Sequence, residues 1–377
     1  MSVRHAAAAL LAAAVLAGCA AGTPETSRTP VSAPESTPGN ARGLPAREAT
    51  PHGTLLVADF GSTTVTFVDP DPAHRRHALG SVEVGTAPYG LVVGDDGLAW
   101  VATAEGVAVV DTKKRTRVAR IPYRTRTGPV TTGEYRGGGM GIALAPDGRR
   151  VYVGVNVPGR NGVLEIIDTA TREVTDTAPV GRRPFDVDVS PDGTEVYATG
   201  HDSFDVTAVD PATRRTRRFE VAPYGTEGGL GSWLKPHYAV VRPSDGKLLL
   251  PFEGERLVVL DPRTGRSTVQ RMTANTHQHG ATTAPDGTLL VVGTGPIASD
   301  DKGPSLTVRA PDGTERVVPL DGPHEDVAVT DDSRTAYVTG GFTRDGYRDS
   351  VTVVDLTGHE RPFEIDAGAR PLGIAIL

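Results

Sequence analysis

A single cysteine, Cys19, stands in a chain of 377 residues. No internal disulfide can form, no cysteine-based metal centre can be assembled, and the body of the protein has no thiol nucleophile. Aromatic residues make up only 5% of the chain, with two tryptophans. They are not interleaved with basic residues, as a surface for single-stranded nucleic acid requires. Long basic runs are also missing. The densest patch, Arg214, Arg215, Arg217 and Arg218, is interrupted by Thr216 and reads as the solvated face of an outer strand. With a formal net charge of −7, neither nucleic acid nor an anionic membrane surface is an expected partner. No apolar run reaches the ~20 residues of a membrane-crossing helix. No helical period occurs beyond residue 53, and there is no nucleophile elbow, zinc-protease helix motif or phosphate loop followed by a helix.

The first residues are informative in a different way. Arg4 and His5 precede an apolar stretch from Ala6 to Leu16, which ends in Leu16-Ala17-Gly18-Cys19. This pattern predicts a secretory signal over residues 1–18. The LAGC sequence resembles a bacterial lipobox, which implies cleavage before Cys19, lipidation of its thiol and attachment to a membrane through that lipid. Residues 19–51, rich in Thr, Pro, Ser, Gly and Ala, have no periodic apolar face. They predict a flexible tether with a reach of about 30 Å. The expected location is therefore outside the cytoplasm, anchored to the cell membrane.

Residues 52–377 are built from repeats. A short strand recurs at Leu55-Val57, Ala99-Val101, Val151-Val153, Val196-Ala198, Leu248-Leu250, Leu289-Val291 and Ala336-Val338. A second strand follows each, ending at Asp69, Asp111, Asp168, Asp210, Asp261, Ala310 and Asp355. Spacings of 42 to 57 residues match four-stranded propeller blades. A third element precedes six of the pairs, at Pro88-Leu91, Gly139-Ile142, Pro184-Val187, Pro236-Ala239, Gln278-Ala281 and His324-Val327; a seventh copy, Pro371-Ile374, has no pair after it. The first pair, in turn, lacks such a strand before it. An all-β, seven-bladed β-propeller resolves both facts if the C-terminal strand completes the first blade, which also removes the open sheet edges. Turns such as Asp96-Gly97, Pro146-Asp147-Gly148, Pro191-Asp192-Gly193 and Pro285-Asp286-Gly287 supply the backbone of tight hairpins. The recurring strand-end aspartates point to a shared turn or inter-blade bond.

The series of Pro-Asp-Gly turn, Val-Tyr-Val strand and Val-Asp-Thr end resembles the YVTN-repeat propellers, which include YncE-like periplasmic proteins. Ala145 to Thr169 and Ser190 to Pro211 carry the likeness best. It implies the fold across residues 53–377; function is not implied, because one propeller architecture hosts many activities.

Long loops on a rigid scaffold carry binding sites. Pro122–Gly138, Ala222–Lys235, Asn156–Asn161, Thr294–Pro304 and Gly340–Asp349 are all expected on one face of the ring. The innermost strands begin at that face. There His237 and His279 occupy equivalent positions in blades five and six, and Glu325 holds that position in blade seven beside His324 and Asp326. His277, two residues before His279, would share its face. These six residues form the expected ligand site, with His279, His324 and Glu325 as candidate catalytic groups. His237, His279 and His324 could hold a divalent metal, the one cofactor suggested. Asp186 and Asp188 are read as ties between blades, and Asp300, Asp301, Asp345 and Asp349 as solvated loop acids able to hold a cation weakly. The leading expectation is a module that binds a small molecule or an envelope protein. The alternative is a metal-dependent lyase or hydrolase, because Pro236-His237-Tyr238, His279-Gly280-Ala281 and Pro323-His324-Glu325-Asp326 resemble the Pro-His-Gly strands of streptogramin lyases; only blade six has His-Gly.

Overall fold

The computed structural model describes residues 53–377 apart from 75, 223–234, 253–255, 275–277, 295–302 and 342–345. Residues 1–52, with the signal segment, Cys19 and the whole tether, lie outside the described residues, as do His277, Asp300, Asp301 and Asp345. The described chain forms 28 strands in seven four-stranded antiparallel sheets. Blades two to seven each take four consecutive strands. Blade one instead pairs strand β28, Pro371–Ile376, with strand β1, Leu55–Asp59, in the register Leu55↔Ile376 and Val57↔Ile374. The C-terminal strand is thus the innermost strand of blade one, as the repeat count predicted.

Middle strands are apolar on both faces because each blade is covered on both sides. Leu55–Asp59, Leu248–Phe252 and Leu289–Gly293 are buried at every residue, whereas the outermost strand Arg266–Arg271 is exposed throughout. The core is consequently divided. Seven apolar clusters lie between successive blades, such as Trp100 and Val109 against Val151 and Ile167. An eighth, of Phe60, Ala87, Tyr89, Met140, Phe185 and Leu372, sits on the axis of the ring.

Turn chemistry fixes the register of each hairpin. Gly97, Gly148, Gly193, Gly246 and Gly287 have φ between +69° and +87°, where a Cβ is disfavoured. Ser333 takes the same role in blade seven with φ +57°. The preceding aspartates reinforce these turns: Asp147 Oδ1 accepts from the Arg149 amide at 3.0 Å, and Asp286 Oδ1 from Thr288 at 2.9 Å. The strand-end aspartates also close turns, as Asp168 Oδ1 does with the amides of Ala170 and Thr171. That accounts for their recurrence.

Candidate functional site

Each blade sends one residue to the axis, from its innermost strand or from the segment that leads into it. Tyr89, Met140, Phe185, His237, His279, Glu325 and Leu372 converge there, one per blade, all at most 4% exposed. Neighbouring blades approach too closely for a side chain at the next position in several strands. A Cβ on Gly141 would lie 2.5 Å from the Asp186 Cα, and one on Gly280 would lie 2.4 Å from the Glu325 carbonyl oxygen. Glycine there lets the seven side chains close into a layer across the channel.

Within this layer the rings form a stack. Tyr89 and Phe185 are 6.0 Å apart with planes 12° from parallel, Phe185 and His237 are 5.9 Å apart, and His237 and His279 are 4.3 Å apart with planes at 21°. The predicted proximity of His237, His279 and Glu325 is found: the His279 Nδ1–H donates to Glu325 Oε1 at 2.7 Å. In the neutral imidazole that bond leaves the lone pair on Nε2 of His279.

A third imidazole joins them. His201 lies 4.6 Å from both Phe185 and His237, centroid to centroid, and its Nδ1–H donates to Asp202 Oδ1 at 2.9 Å. Burial pushes its pKa down to about 4 against the attraction of Asp202, so His201 is neutral at pH 7. Burial opposes ionisation of Asp202 too. The His201 bond and the charges of Arg183, 3.0 Å away, and Lys235, also 3.0 Å away, outweigh it and hold the carboxyl well below the usual range. His201 was not expected from the sequence because its connection is a single 3-10 turn, His201–Ser203, and not one of the long loops. Its location on the same face as those loops was the available signal. Tyr135, 49% exposed, closes the outer side of the cluster, with the Arg183 guanidinium 3.6 Å from its ring centroid. Arg183 holds φ +56° immediately before Pro184, a strained conformation maintained by these contacts.

His324 does not join the other histidines. It precedes the axial position by one residue, on the segment that leads into the strand Val327–Val329, and turns into its own blade. There its Nδ1–H donates to the Gly322 carbonyl at 2.6 Å, and its Nε2 accepts from the Thr352 hydroxyl at 2.6 Å. It is fully buried, and burial lowers its pKa. The proposed metal trio of His237, His279 and His324 is therefore not assembled. Among the described residues no three His, Cys, Asp or Glu side chains are placed to hold a metal ion. Stacking explains why His237 and His279 are poorly disposed for it: imidazole lone pairs lie in the ring plane, and nearly parallel planes do not share a focus.

Asp326 follows the axial position by one residue and turns below the layer. Its carboxyl accepts the Val327 amide at 2.8 Å, while Asp186 accepts Val187 at 2.9 Å and Ala239, in the next blade, at 2.8 Å. Asp186 thus ties blades four and five as expected. Burial pushes Asp186 up to about 6 and Asp326 up to about 7, and it raises Asp188 strongly with help from the Asp186 charge.

A raised native pKa means that the folded protein keeps a proton which the unfolded chain releases above the ordinary carboxylate range. The stability this lends is complete at acid pH and is lost as pH rises towards neutrality. Asp188→Asn, which keeps an acceptor oxygen, is therefore expected to raise the melting temperature at about pH 8 and change it little at about pH 3, below the unfolded-state carboxyl pKa. Differential scanning calorimetry at the two pH values checks the sign; stabilisation confined to acid pH would contradict it.

No protein-family model matches the chain, and no curated protein does. Solved structures share the fold. A functionally unknown protein from Desulfotomaculum acetoxidans DSM 771 has a TM-score of 0.61 at 13% identity, covering 86% of this chain and 98% of that one. Virginiamycin B lyase from Staphylococcus aureus gives 0.57 at 17%, covering 76% and 88%. Hydrazine synthase from Kuenenia stuttgartiensis gives 0.55 at 17%, covering 71% and 76%. At these identities the likeness is one of architecture.

Proposed function

We propose that this protein is a lipid-anchored, extracytoplasmic propeller that binds a small molecule or an envelope partner at the channel mouth formed by blades four to seven. One observation carries the reading: four rings, Phe185, His201, His237 and His279, pack together at the loop-bearing end of the ring, and two of the imidazoles are fixed by carboxylates. The Nδ1 bonds fix the orientation of the His201 and His279 rings, while the half-exposed Tyr135 ring at the outer side of the cluster offers stacking surface. Such a combination of a few oriented polar atoms among rings suits recognition. It is asymmetric, because blades one to three present Leu372, Tyr89 and Met140 instead.

The test begins with protein released gently from host membranes, followed by mass spectrometry of what accompanies it. Wild type is expected to carry a small molecule or a cross-linkable partner that a His237→Ala, His279→Ala double variant loses by a factor of about ten or more, as when central contacts are removed. Identical inventories from both proteins would overturn the reading.

A metal-dependent lyase or hydrolase has weaker support. Its basis is the fold shared with virginiamycin B lyase, which has also been solved as a catalytically inactive variant with quinupristin. The stacked rather than convergent imidazoles argue against it. Stoichiometric divalent metal in the purified protein, removed by His279→Ala, would restore that alternative.

Anchoring is tested separately. Cys19→Ser is expected to abolish incorporation of labelled fatty acid and to release the protein from membranes with its melting temperature unchanged, because the ring is complete without residue 19. Persistent membrane retention would refute the anchor.

A further inference from the structure

Below the axial layer, the channel itself holds a second candidate site, on the side away from the histidines. A cavity of about 180 Å³ is lined there by Asp186, Asp188, Asp326, Tyr238, Tyr89 and Thr282, among others, and no lysine or arginine lines it. The innermost strands show where it opens. Gly138–Leu144, Gln278–Thr283 and Pro371–Ile376 are buried at their first residues and become partly exposed at their last, away from the layer.

Three carboxyl groups therefore share a narrow channel with no basic side chain to balance them. Desolvating carboxylates without a counter-charge is unfavourable by several kcal/mol each. Bonds to the backbone do not remove that deficit. Asp186 and Asp188 adjoin on blade four, and Asp326 faces them from blade seven, three blades away in a ring of seven. A further observation is independent of the acids. Tyr238, 91% buried by its 9% exposure, lines the same cavity, and its hydroxyl lies near that of Tyr89 without a hydrogen bond of good geometry. A buried hydroxyl left in that state calls for a polar partner in the channel.

We propose that this channel binds a short aliphatic diamine, one ammonium group at Asp186 and Asp188 and the other at Asp326, with the Tyr238 hydroxyl accepting an N–H bond. The chemistry follows from the spacing of the acids. Among the described residues no three acidic or imidazole side chains converge on one point as a metal ion would require, and acids carried by blades four and seven suit two separated positive charges. A short chain fills the volume. With about 30 Å³ for each water-sized group, the cavity takes roughly six heavy atoms, the size of 1,4-diaminobutane. The diamine must displace the protons that the raised carboxyl pKa values retain near neutrality, so binding strengthens between about pH 6 and pH 8 and releases protons.

Isothermal titration of the purified protein with 1,4-diaminobutane, 1-aminobutane, 1,4-butanediol and calcium chloride at constant ionic strength tests the inference. The diamine is expected to bind at least about tenfold more tightly than the monoamine, with no heat from the diol. Asp326→Asn and Asp188→Asn should each weaken it by a similar factor, and Arg266→Ala, on an exposed outermost strand, should leave it unchanged. Tyr238→Phe, which keeps the ring, reports on the hydroxyl and guards against misfolding of the acid variants. The measured heat should vary with the ionisation enthalpy of the buffer. Absence of diamine binding, equal binding of mono- and diamine, tighter binding of calcium, or indifference to both asparagine variants would each overturn the proposal. The outcome is independent of ligand binding at the histidine mouth, which His279→Ala addresses.

Discussion

Removal of Pro371–Leu377 is expected to abolish cooperative unfolding of the entire ring. The seven residues form the innermost strand of blade one, bonded along β1 from Leu55 to Asp59, with further bonds from the Gly53 amide to the Leu377 carbonyl and from the Leu377 amide to Thr54. They also bury Leu372 in the axial layer and Ile374 between blades seven and one. Burial of those two side chains alone is worth about 3–6 kcal/mol. The strand's ladder and the neighbouring clusters add to that, so the total rivals the net stability of a typical domain, about 5–15 kcal/mol. Opening the ring also exposes strand edges prone to association. Urea titration followed by circular dichroism should show a broad or absent transition, together with aggregation. A truncated protein with the wild-type midpoint and slope would show that closure does not hold the ring together.

Phe185→Ala is expected to produce the largest effect of any single substitution at the site, destabilising the protein by about 3–5 kcal/mol. Phe185 is 1% exposed and touches the rings of Tyr89, Tyr135, His201 and His237. Its loss leaves a cavity at the centre of a layer contributed by seven blades, where no one blade can move in to fill it. Phe185→Leu, which preserves most of the volume, should recover much of the stability but not the ring stacking. Comparison of urea midpoints with near-ultraviolet circular dichroism separates the two contributions. If Phe185→Ala retains the wild-type midpoint, the axial layer is not a structural element.

The ring could be read from the chain because its signals are local and repeated. Alternating apolar residues, Asp-Gly turns and the unpaired strand at Pro371 each report on a few neighbours in sequence, and seven copies make their register unambiguous. Equivalent positions in the repeats also brought His237, His279 and Glu325 together correctly. The same alignment misplaced His324. His324 lies before the strand Val327–Val329, where strand register does not set side-chain direction, and the bonds to Gly322 and Thr352 settle which way it faces.

The contacts that give the site its chemistry lie beyond that local code. His201 reaches the stack through a short turn whose sequence carries no repeat signal, and its neutral state follows from burial among groups of other segments: Arg183, Lys235 and Phe185. The isolation of Asp186, Asp188 and Asp326 from any basic residue is a property of the closed channel, not of any strand within it. By itself, then, the sequence determined the blade, the number of blades and the closing strand, since these depend on periodicity and pairing between neighbours in the chain. Only the tertiary structure decided which side chains share the axis, which acids lie unbalanced below it and which histidine turns away, because seven distant strands must converge before desolvation and orientation act on any of them.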